Sequence, residues 1–597
     1  MKLNKKTTNI IAFCLLTFMG FFAFFSVLGD SLTMDELAHT PAGYSYVTQK
    51  DMRLNPEHPP LLKDLAGAST WLGSKIADTS ITLPINNKSW QEDMNGQWNF
   101  GREFLYRSGN DTDKIIIWSR LPMILIMILL GFYVFRWTRE IYGDMAGLLA
   151  LFLYSFSPTF LAHGRYVTTD VGAAAAFFIG AYYLTKWITK INIKNIIIAG
   201  IALGLALLVK FSVILLVPYL IFLGFVWLLI NIKNFKTFKK DFLKIALSII
   251  VLGAISLVVI WPVYQYHVMD YPAQRQYSDT ETTLQSFGRR MLADSVIWMS
   301  DKPILRVWGQ YFFGLLMVVQ RAVGGNTTYF LGQISKTGWI SYFPIMFLIK
   351  VPTALLVFIL MTLFIYLFSL RQISFKKPLK NLAKFLKEHF AQFSLITLFV
   401  IYWIATFRSN LNIGVRHILP TFPVIYILVS GAISKTIESS RQPMQKLLKG
   451  VIVILLLLYA LPTINNYPHF LTYFNELVGG PSNGYKYVTD SNLDWGQDLR
   501  RLTEFVEENN IEKIYIDYFG GDSPQYRLGD KFQPWWGDRD PSQLPPDSWI
   551  AVSATFLQGG RGEPVPNYTE KTGYYNWLNQ YKPVAIIGHS IFVYNIK

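Results

Sequence analysis

The 597 residues are 52% hydrophobic and 16% aromatic, with only 16% charged; soluble domains carry about 25% charged residues, so the pattern excludes an ordinary soluble domain. The net charge of +16 would suit nucleic acid, but the basic residues crowd into the segments between apolar runs, and no nucleic-acid partner is expected. The single cysteine, Cys14, lies inside the first apolar run, which excludes a disulfide framework or a cysteine metal site within one chain.

A helix needs about 20 apolar residues to cross a bilayer. Runs that reach or approach this length lie near 9–29, 115–135, 145–162, 171–188, 195–209, 211–230, 243–262, 340–369, 393–407, 416–434 and 449–464. Runs 195–209 and 393–407 are short. The basic leader "MKLNKK" would suit a signal peptide, but the stretch behind it is long and lacks an A-x-A site. We read it as a retained helix. The expected fold is an α-helical polytopic membrane protein of about eleven transmembrane helices, with large outer loops.

Basic residues orient it. With the N-terminus cytoplasmic, the inner segments hold Lys2, Lys5 and Lys6, Arg136 and Arg139, Lys186, Lys190 and Lys194, and Lys233, Lys236, Lys239, Lys240 and Lys244. Further along come Arg371, Lys376, Lys377, Lys380, Lys384 and Lys387, then Lys435, Arg441, Lys446 and Lys449. The short outer turns hold only Arg165, Lys210, Arg408 and Arg416. The expected place is the plasma or inner membrane, with the C-terminus outside. Residues 1–465 form the transmembrane part, with outer loops 30–113 and 263–339, and residues 466–597 a separate extracytoplasmic α/β domain. In that tail "YKYVTDS" and "KIYIDYF" predict strands around a helix at 495–509, and "SWIAVSATFL" and "PVAIIGHSIFVYNI" predict later strands.

A transporter carries ionisable groups in mid-membrane. These runs are nearly free of them, and the charges gather at the outer ends instead: Asp35 and Glu36; Glu57, His58, Lys63 and Asp64; Arg165 and Asp170; Lys210; Arg416 and His417. That placement suits an enzyme whose substrate has a lipid tail in the bilayer and a polar head above it. Each residue also has a plainer local explanation. "NPEHPP" shapes a turn into an interfacial helix. Asp170 complements a helix dipole after Thr168 or Thr169 as cap. Lys210 suits a snorkelling lysine.

The acid pair after the first span, "PEHPPL", the Arg165-x4-Asp170 spacing and the lysine ending "GLALLVK" together resemble the integral-membrane glycosyltransferases of the GT-C class. Within it they resemble the dolichyl-phosphate-mannose protein mannosyltransferase superfamily, including bacterial relatives that transfer aminoarabinose to lipid A. The resemblance covers residues 1–230 best. The second loop, from "YFFGLLMVVQRAVGGNTTYF" onward, and "VTDSNLDWGQDLRRL" at 488–502 look like the prokaryotic phospholipid-carrier-dependent glycosyltransferases.

The resemblance implies an inverting glycosyltransferase, with a polyprenyl-phosphate-linked sugar as donor and a lipid (lipid A), a surface glycan or a protein as acceptor on the outer face. It implies Asp35 as catalytic base and Asp170 as a second required acid, with Glu36 and Glu57 orienting them. His58, Arg165 and Lys210 would hold the donor phosphate; Lys63, Arg416 and His417 are further outer-site candidates. The MIR domain of eukaryotic protein mannosyltransferases is missing from the second loop, which weakens a protein acceptor of that kind. A divalent metal ion bridging Asp35 or Glu57 to a phosphate oxygen is an option that no ligand spacing demands. In the tail, Asp490, Asn492, Asp494 and Asp498 are candidates for acceptor or cation binding; a strand–turn–helix junction capped by Ser491 or Asn492 explains them as well. Other classes remain: a flippase or transporter of the lipid-linked sugar, or a non-catalytic glycan-binding membrane receptor.

Overall fold

The structure, a computed structural model, describes residues 4–232, 234–370 and 378–597. Lys2, Lys233, Arg371, Lys376 and Lys377, used above for orientation, lie outside the described residues, as does the side chain of Lys380.

Eight helices among the described residues are long and apolar enough to cross a membrane: Lys5–Val27, Thr112–Tyr142, Asp170–Thr189, Phe211–Ile230, Phe235–His267, Phe390–Phe407, Val415–Ser439 and Gln442–Asn465. A ninth span results if Tyr342–Lys350 and Thr353–Phe368 count as one, although they meet at a bend of 111°. The bend has a local cause. Pro352 has no N–H to donate and forces Val351 into extended backbone, at φ −102° and ψ 148°. The expectation of about eleven is reached only by adding the shorter apolar helices Asp144–Ser155 and Ile193–Leu207. With 12 and 15 residues, they reach about 18 and 22 Å at 1.5 Å per residue, against a hydrocarbon core of about 30 Å. The chain is a multi-span α-helical membrane protein. Large apolar side chains such as Phe13, Leu125, Ile250 and Leu360 stay more than half exposed, as lipid-facing positions must.

Two further helices, Met34–Gln49 and Leu61–Ile76, follow the first span; they carry Asp35, Glu36 and Lys63 and flank the loop with Glu57 and His58. They cross with their backbones touching. A Cβ on Gly67 would lie 2.1 Å from Gly43 O, and one on Gly43 would lie 2.1 Å from Lys63 O. Only glycine permits that approach, and it sets the site's first loop against the acid pair.

The tail ends in a five-stranded sheet of order Phe532–Pro534, Ile514–Asp517, Ser548–Ser553, Ile591–Ile596, Ala585–Ile587. The first three strands are parallel and the last two antiparallel. Helix Leu499–Glu508 presses Leu499, Leu502 and Val506 onto Ile514, Ala551 and Val593. The strands expected in "KIYIDYF", "SWIAVSATFL" and "PVAIIGHSIFVYNI" are present. The one expected in "YKYVTDS" is not. Pro481 starts a 3₁₀ helix over Pro481–Lys486, and Asp490 turns the chain with φ +56°. Only a single bridge, Phe330 to Val488, remains there. A three-stranded sheet of Thr328–Phe330, Gln333–Ser335 and Glu563–Pro564 ties the second loop to the tail.

Candidate active site

Thr33-Met34-Asp35-Glu36 is a capping box, with Thr33 before the helix and Glu36 as its third residue. The backbone N–H and hydroxyl of Thr33 both donate to Glu36 Oε2, at 2.9 and 3.0 Å. Arg120, in the second span, grips the same carboxylate in a fork: Nε to Oε1 at 2.8 Å and Nη2 to Oε2 at 2.7 Å. Val167 N–H adds a bond to Oε1 at 3.0 Å. Glu36 is fully buried and its acceptor capacity is spent. The neighbouring carboxylate is thereby left as the one that faces outward.

Asp35 is 28% exposed, and its Oδ2 accepts from Arg416 Nη1 at 2.6 Å. The same Nη1 lies 3.2 Å from Asp170 Oδ2, and Lys210 Nζ is 2.7 Å from Asp170 Oδ1. The four residues form one chain: Asp35, Arg416, Asp170, Lys210. Asp170 opens its helix and is 2% exposed, so the two cations and the helix N-terminus together balance a carboxylate almost out of water. Burial pushes the Asp35 carboxyl up, but Arg416 and then His39 outweigh it and hold it below the usual carboxylate range. Asp35 is thus ionised and accessible, as a proton acceptor must be. His417 adjoins the chain, near enough to Lys210 and Asp170 to feel their charges.

The first loop supplies the other wall. His39, one turn after Asp35, donates from Nδ1 to Val167 O at 2.9 Å and meets the ring of His58 edge to face at 5.3 Å. His58 Nδ1 is buried without a partner. Burial, and then the charges of His39, Lys63, Lys210 and Arg321, hold His58 well below the usual histidine range. It is a neutral hydrogen-bonding group among cations, not a standing charge. Lys63 is turned inward, donating to Asn55 O at 2.7 Å, Asn55 Oδ1 at 2.8 Å and His58 O at 2.9 Å. Burial lowers its pKa to about 7, against the pull of Glu57 and Asp64. Glu57 is held by Gln97 Nε2 at 2.7 Å and Asn95 Nδ2 at 3.2 Å. Lys63 and Glu57 therefore shape the loop that presents His58.

Arg165, expected at the donor phosphate, is not brought to this chain of charges. It is 1% exposed and bonds Asp30 Oδ2 at 2.9 Å and Ser26 Oγ at 2.6 Å. Asp30 also pairs with Arg501 of the tail, at 2.8 Å. The R-x4-D spacing joins a structural arginine to a site carboxylate. Asp30, Arg120 and Trp495 were missed by the sequence reading. The capping box was the available signal for Glu36; nothing local marks its partner Arg120.

A groove of about 490 Å³ runs between helices Leu61–Ile76, Thr112–Tyr142, Asp170–Thr189 and Ile193–Leu207. Its walls are apolar, with Leu61, Leu65, Leu129, Ile179, Leu205 and Val209 among them. Gly172, two residues after Asp170, and Val209, the residue before Lys210, are among its lining residues. Trp536 of the tail is 47% exposed and stacks on Arg539, 3.7 Å from the guanidinium carbon.

Among the described residues, no three His, Cys, Asp or Glu side chains converge to hold a metal ion. Asp35 and Asp170 already share Arg416, and Glu57 is taken by two amides. This donor set does not fit a divalent ion.

The tail segment 488–498 lies beside the charges. Asp490 is near enough to Arg416 and Asp35 to interact with both, and burial pushes its carboxyl up to about 6 against the pull of Arg416. Ser491 and Asn492 do not cap the tail helix. The Ser491 hydroxyl donates to Ile413 O, Asn492 Oδ1 accepts from Val415 N, and the helix starts after Asp498. Asp494 is fully buried; Oδ2 accepts from Thr555 N at 2.9 Å while Oδ1 has no partner. Burial, outweighing the Thr555 bonds, pushes its carboxyl up to about 8, with Asp498 and Asp490 adding repulsion. The folded chain then keeps a proton that the unfolded chain releases near 3.8. Stability contributed at this position falls as pH rises from that value toward about 8. Asp494→Asn is expected to flatten the fall in melting temperature between pH 5 and pH 8; parallel curves for wild type and variant would reject this assignment.

Residues 114–261 match the family described as dolichyl-phosphate-mannose-protein mannosyltransferase. No curated protein sequence is significantly similar to the chain. Similar solved structures include the S. cerevisiae protein O-mannosyltransferase Pmt1-Pmt2 complex bound to the sugar donor, at 19% identity and TM-score 0.35, over 45% of this chain and 35% of that one. The match thus spans about a third of the yeast chain. They include the Archaeoglobus fulgidus oligosaccharyltransferase in the apo form, at 13% and 0.47, over 90% and 65%. They also include ArnT from Cupriavidus metallidurans bound to undecaprenyl phosphate, at 12% and 0.44, over 99% and 98%. The superfamily resemblance read from the sequence is borne out on the segment that carries Arg165, Asp170 and Lys210: residues 114–261 are similar to the dolichyl-phosphate-mannose-protein mannosyltransferases.

Proposed function

We propose that this chain is an inverting glycosyltransferase, moving a sugar from a polyprenyl-phosphate donor to a hydroxyl or amine on the outer face of the cell membrane. The observation that carries this reading is the apolar groove lined by Gly172 and Val209, near neighbours in the chain of the paired Asp170 and Lys210, with Asp35 joined to Asp170 through Arg416. An isoprenoid tail fits the groove, and its phosphate would meet Lys210 at the mouth. His58, with its unpartnered Nδ1, and Arg321 add donors on that side. An arriving phosphate would compete with Asp170 for Lys210, leaving Arg416 to balance Asp170.

The transfer follows from these positions. The acceptor oxygen or nitrogen attacks the anomeric carbon opposite the phosphate, and Asp35 takes its proton. The bond from carbon to phosphate oxygen breaks, and the phosphate leaves with the electron pair. Cations preorganised at the leaving phosphate, in a partly dry site, lower the barrier most. We divide the chain into residues 1–465 as the transmembrane unit and 466–597 as an α/β domain with its own small core.

The test is purified protein in liposomes with polyprenyl-phosphate-linked sugars, scored for transfer and for released polyprenyl phosphate. Movement of the donor across the bilayer without transfer would favour a flippase, and glycan binding alone a receptor; either result overturns the proposal. Lys210→Met is expected to raise KM for the donor on the order of tenfold, the loss of one charge-assisted contact. An unchanged KM would remove Lys210 from the phosphate site.

A further inference from the structure

The tail segment 489–498 grips both sides of the charged chain. On one side it pairs with the strand of backbone just before Asp35: Ser31 N donates to Gln497 O at 2.9 Å and Met34 N to Trp495 O at 3.0 Å. Arg500 N donates back to Ser31 Oγ at 2.9 Å. On the other side it holds the turn that carries Arg416. Asn492 Oδ1 accepts from Val415 N at 2.8 Å, and Asn492 Nδ2 donates to Tyr342 OH at 2.9 Å. Lys350 Nζ, 3% exposed at the bent span, donates to Asn492 O at 2.7 Å and Leu471 O at 2.8 Å. Packing leaves no slack: a Cβ on Gly414 would lie 2.4 Å from Ser491 Oγ.

Between the two sides stands Trp495. It is 1% exposed, and its ring lies 4.2 Å from the Arg416 guanidinium carbon. The Arg416 Nη1 serves two carboxylates, but its Nε is buried without a partner. No hydrogen bond from Nε stops the guanidinium plane from turning. The indole face does, because a cation over an aromatic ring loses contact and electrostatic attraction when it tilts away. His163 and Tyr166 pack edge-on against the indole, at 5.9 and 6.2 Å, and hold it there.

We infer that the 489–498 segment is an integral part of the catalytic unit, with Trp495 a positioning residue that sets Arg416 and, through it, Asp35; this rests on the glycosyltransferase reading. The segment is then no separate glycan-binding module, and the chemistry needs more than the membrane half.

The experiment uses the full-length protein, as wild type, Trp495→Leu, Trp495→Phe and Arg416→Lys, with each Trp495 change also placed on Arg416→Lys. Trp495→Leu is expected to lower kcat roughly tenfold with donor KM within about threefold, and Trp495→Phe to keep kcat within about threefold of wild type. Residues acting as one unit are non-additive, so on the Arg416→Lys background Trp495→Leu should cost less than about twofold. Hydrogen exchange should quicken at 31–35 and at 413–416 in Trp495→Leu. Multiplying effects in the cycle, or unchanged exchange at either segment, overturns the inference. If Trp495→Leu does not fold, Trp495→Met, which also removes the ring, carries the same cycle and exchange comparison. If wild type transfers no sugar, the functional reading fails, while the exchange result still decides whether Trp495 positions the two segments.

Discussion

Asp35→Asn is expected to lower kcat by about 10²–10⁴-fold, the usual contribution of a positioned general base. Donor binding should stay near wild type, because Lys210 pairs with Asp170 and not with Asp35. Asparagine keeps an acceptor oxygen for Arg416 Nη1 but has no basicity to take the acceptor proton. In the wild type, Arg416 and His39 hold the Asp35 carboxyl below the usual range despite burial. Loss of rate on the acid side through protonation of Asp35 is therefore expected only below that range. Steady-state transfer assays across pH, with donor binding measured separately, check both statements. A correctly inserted Asp35→Asn chain that transfers at the wild-type rate would remove Asp35 from the mechanism.

Arg120→Met is expected to cost about 3–5 kcal/mol of stability, the penalty for leaving one member of a buried ion pair alone. Arg120 is 2% exposed and Glu36 fully buried. Beyond the fork to Glu36, Arg120 donates to Ser31 O at 2.9 Å and Asp30 O at 3.1 Å. Methionine fills much of the volume and makes none of these bonds. The bent connection between the first span and the Asp35 helix should loosen, and activity should fall together with stability. Glu36→Gln keeps the shape but leaves the buried Arg120 charge unmatched and turns an amide NH2 toward donors, so it should also destabilise the chain. Thermal unfolding in detergent measures both variants; Arg120→Met melting within a degree or two of wild type would show that the pair carries no such weight.

The place of the acid pair, just past the first apolar run, was legible because hydropathy marks where a helix leaves the bilayer. Lys210 was legible as a cation on the side where basic residues are scarce. Asp170 was legible as an acid opening an apolar helix. Arg416 entered as one candidate among several, and no pattern tied it to both carboxylates. Nothing in "LAHGRYVTTD" distinguished Arg165, which turned inward to Asp30, from a residue of the site. "YKYVTDS" alternates like a strand, yet Pro481 and the left-handed Asp490 override that alternation.

By itself, the sequence determined that this is a helical membrane protein, where its apolar runs lie, and at which ends of them the acids and cations gather. Those features rest on composition and short periodicities within a single helix. Only the tertiary structure decided which acid faces outward, which arginine serves it and which is locked away. It also brought the 489–498 segment against residues 31–35 and 413–416. Such choices depend on contacts between residues 80 to nearly 500 apart in the chain. No local propensity encodes a pairing at that distance; it emerges when the packed helices bring each buried charge within reach of its partners.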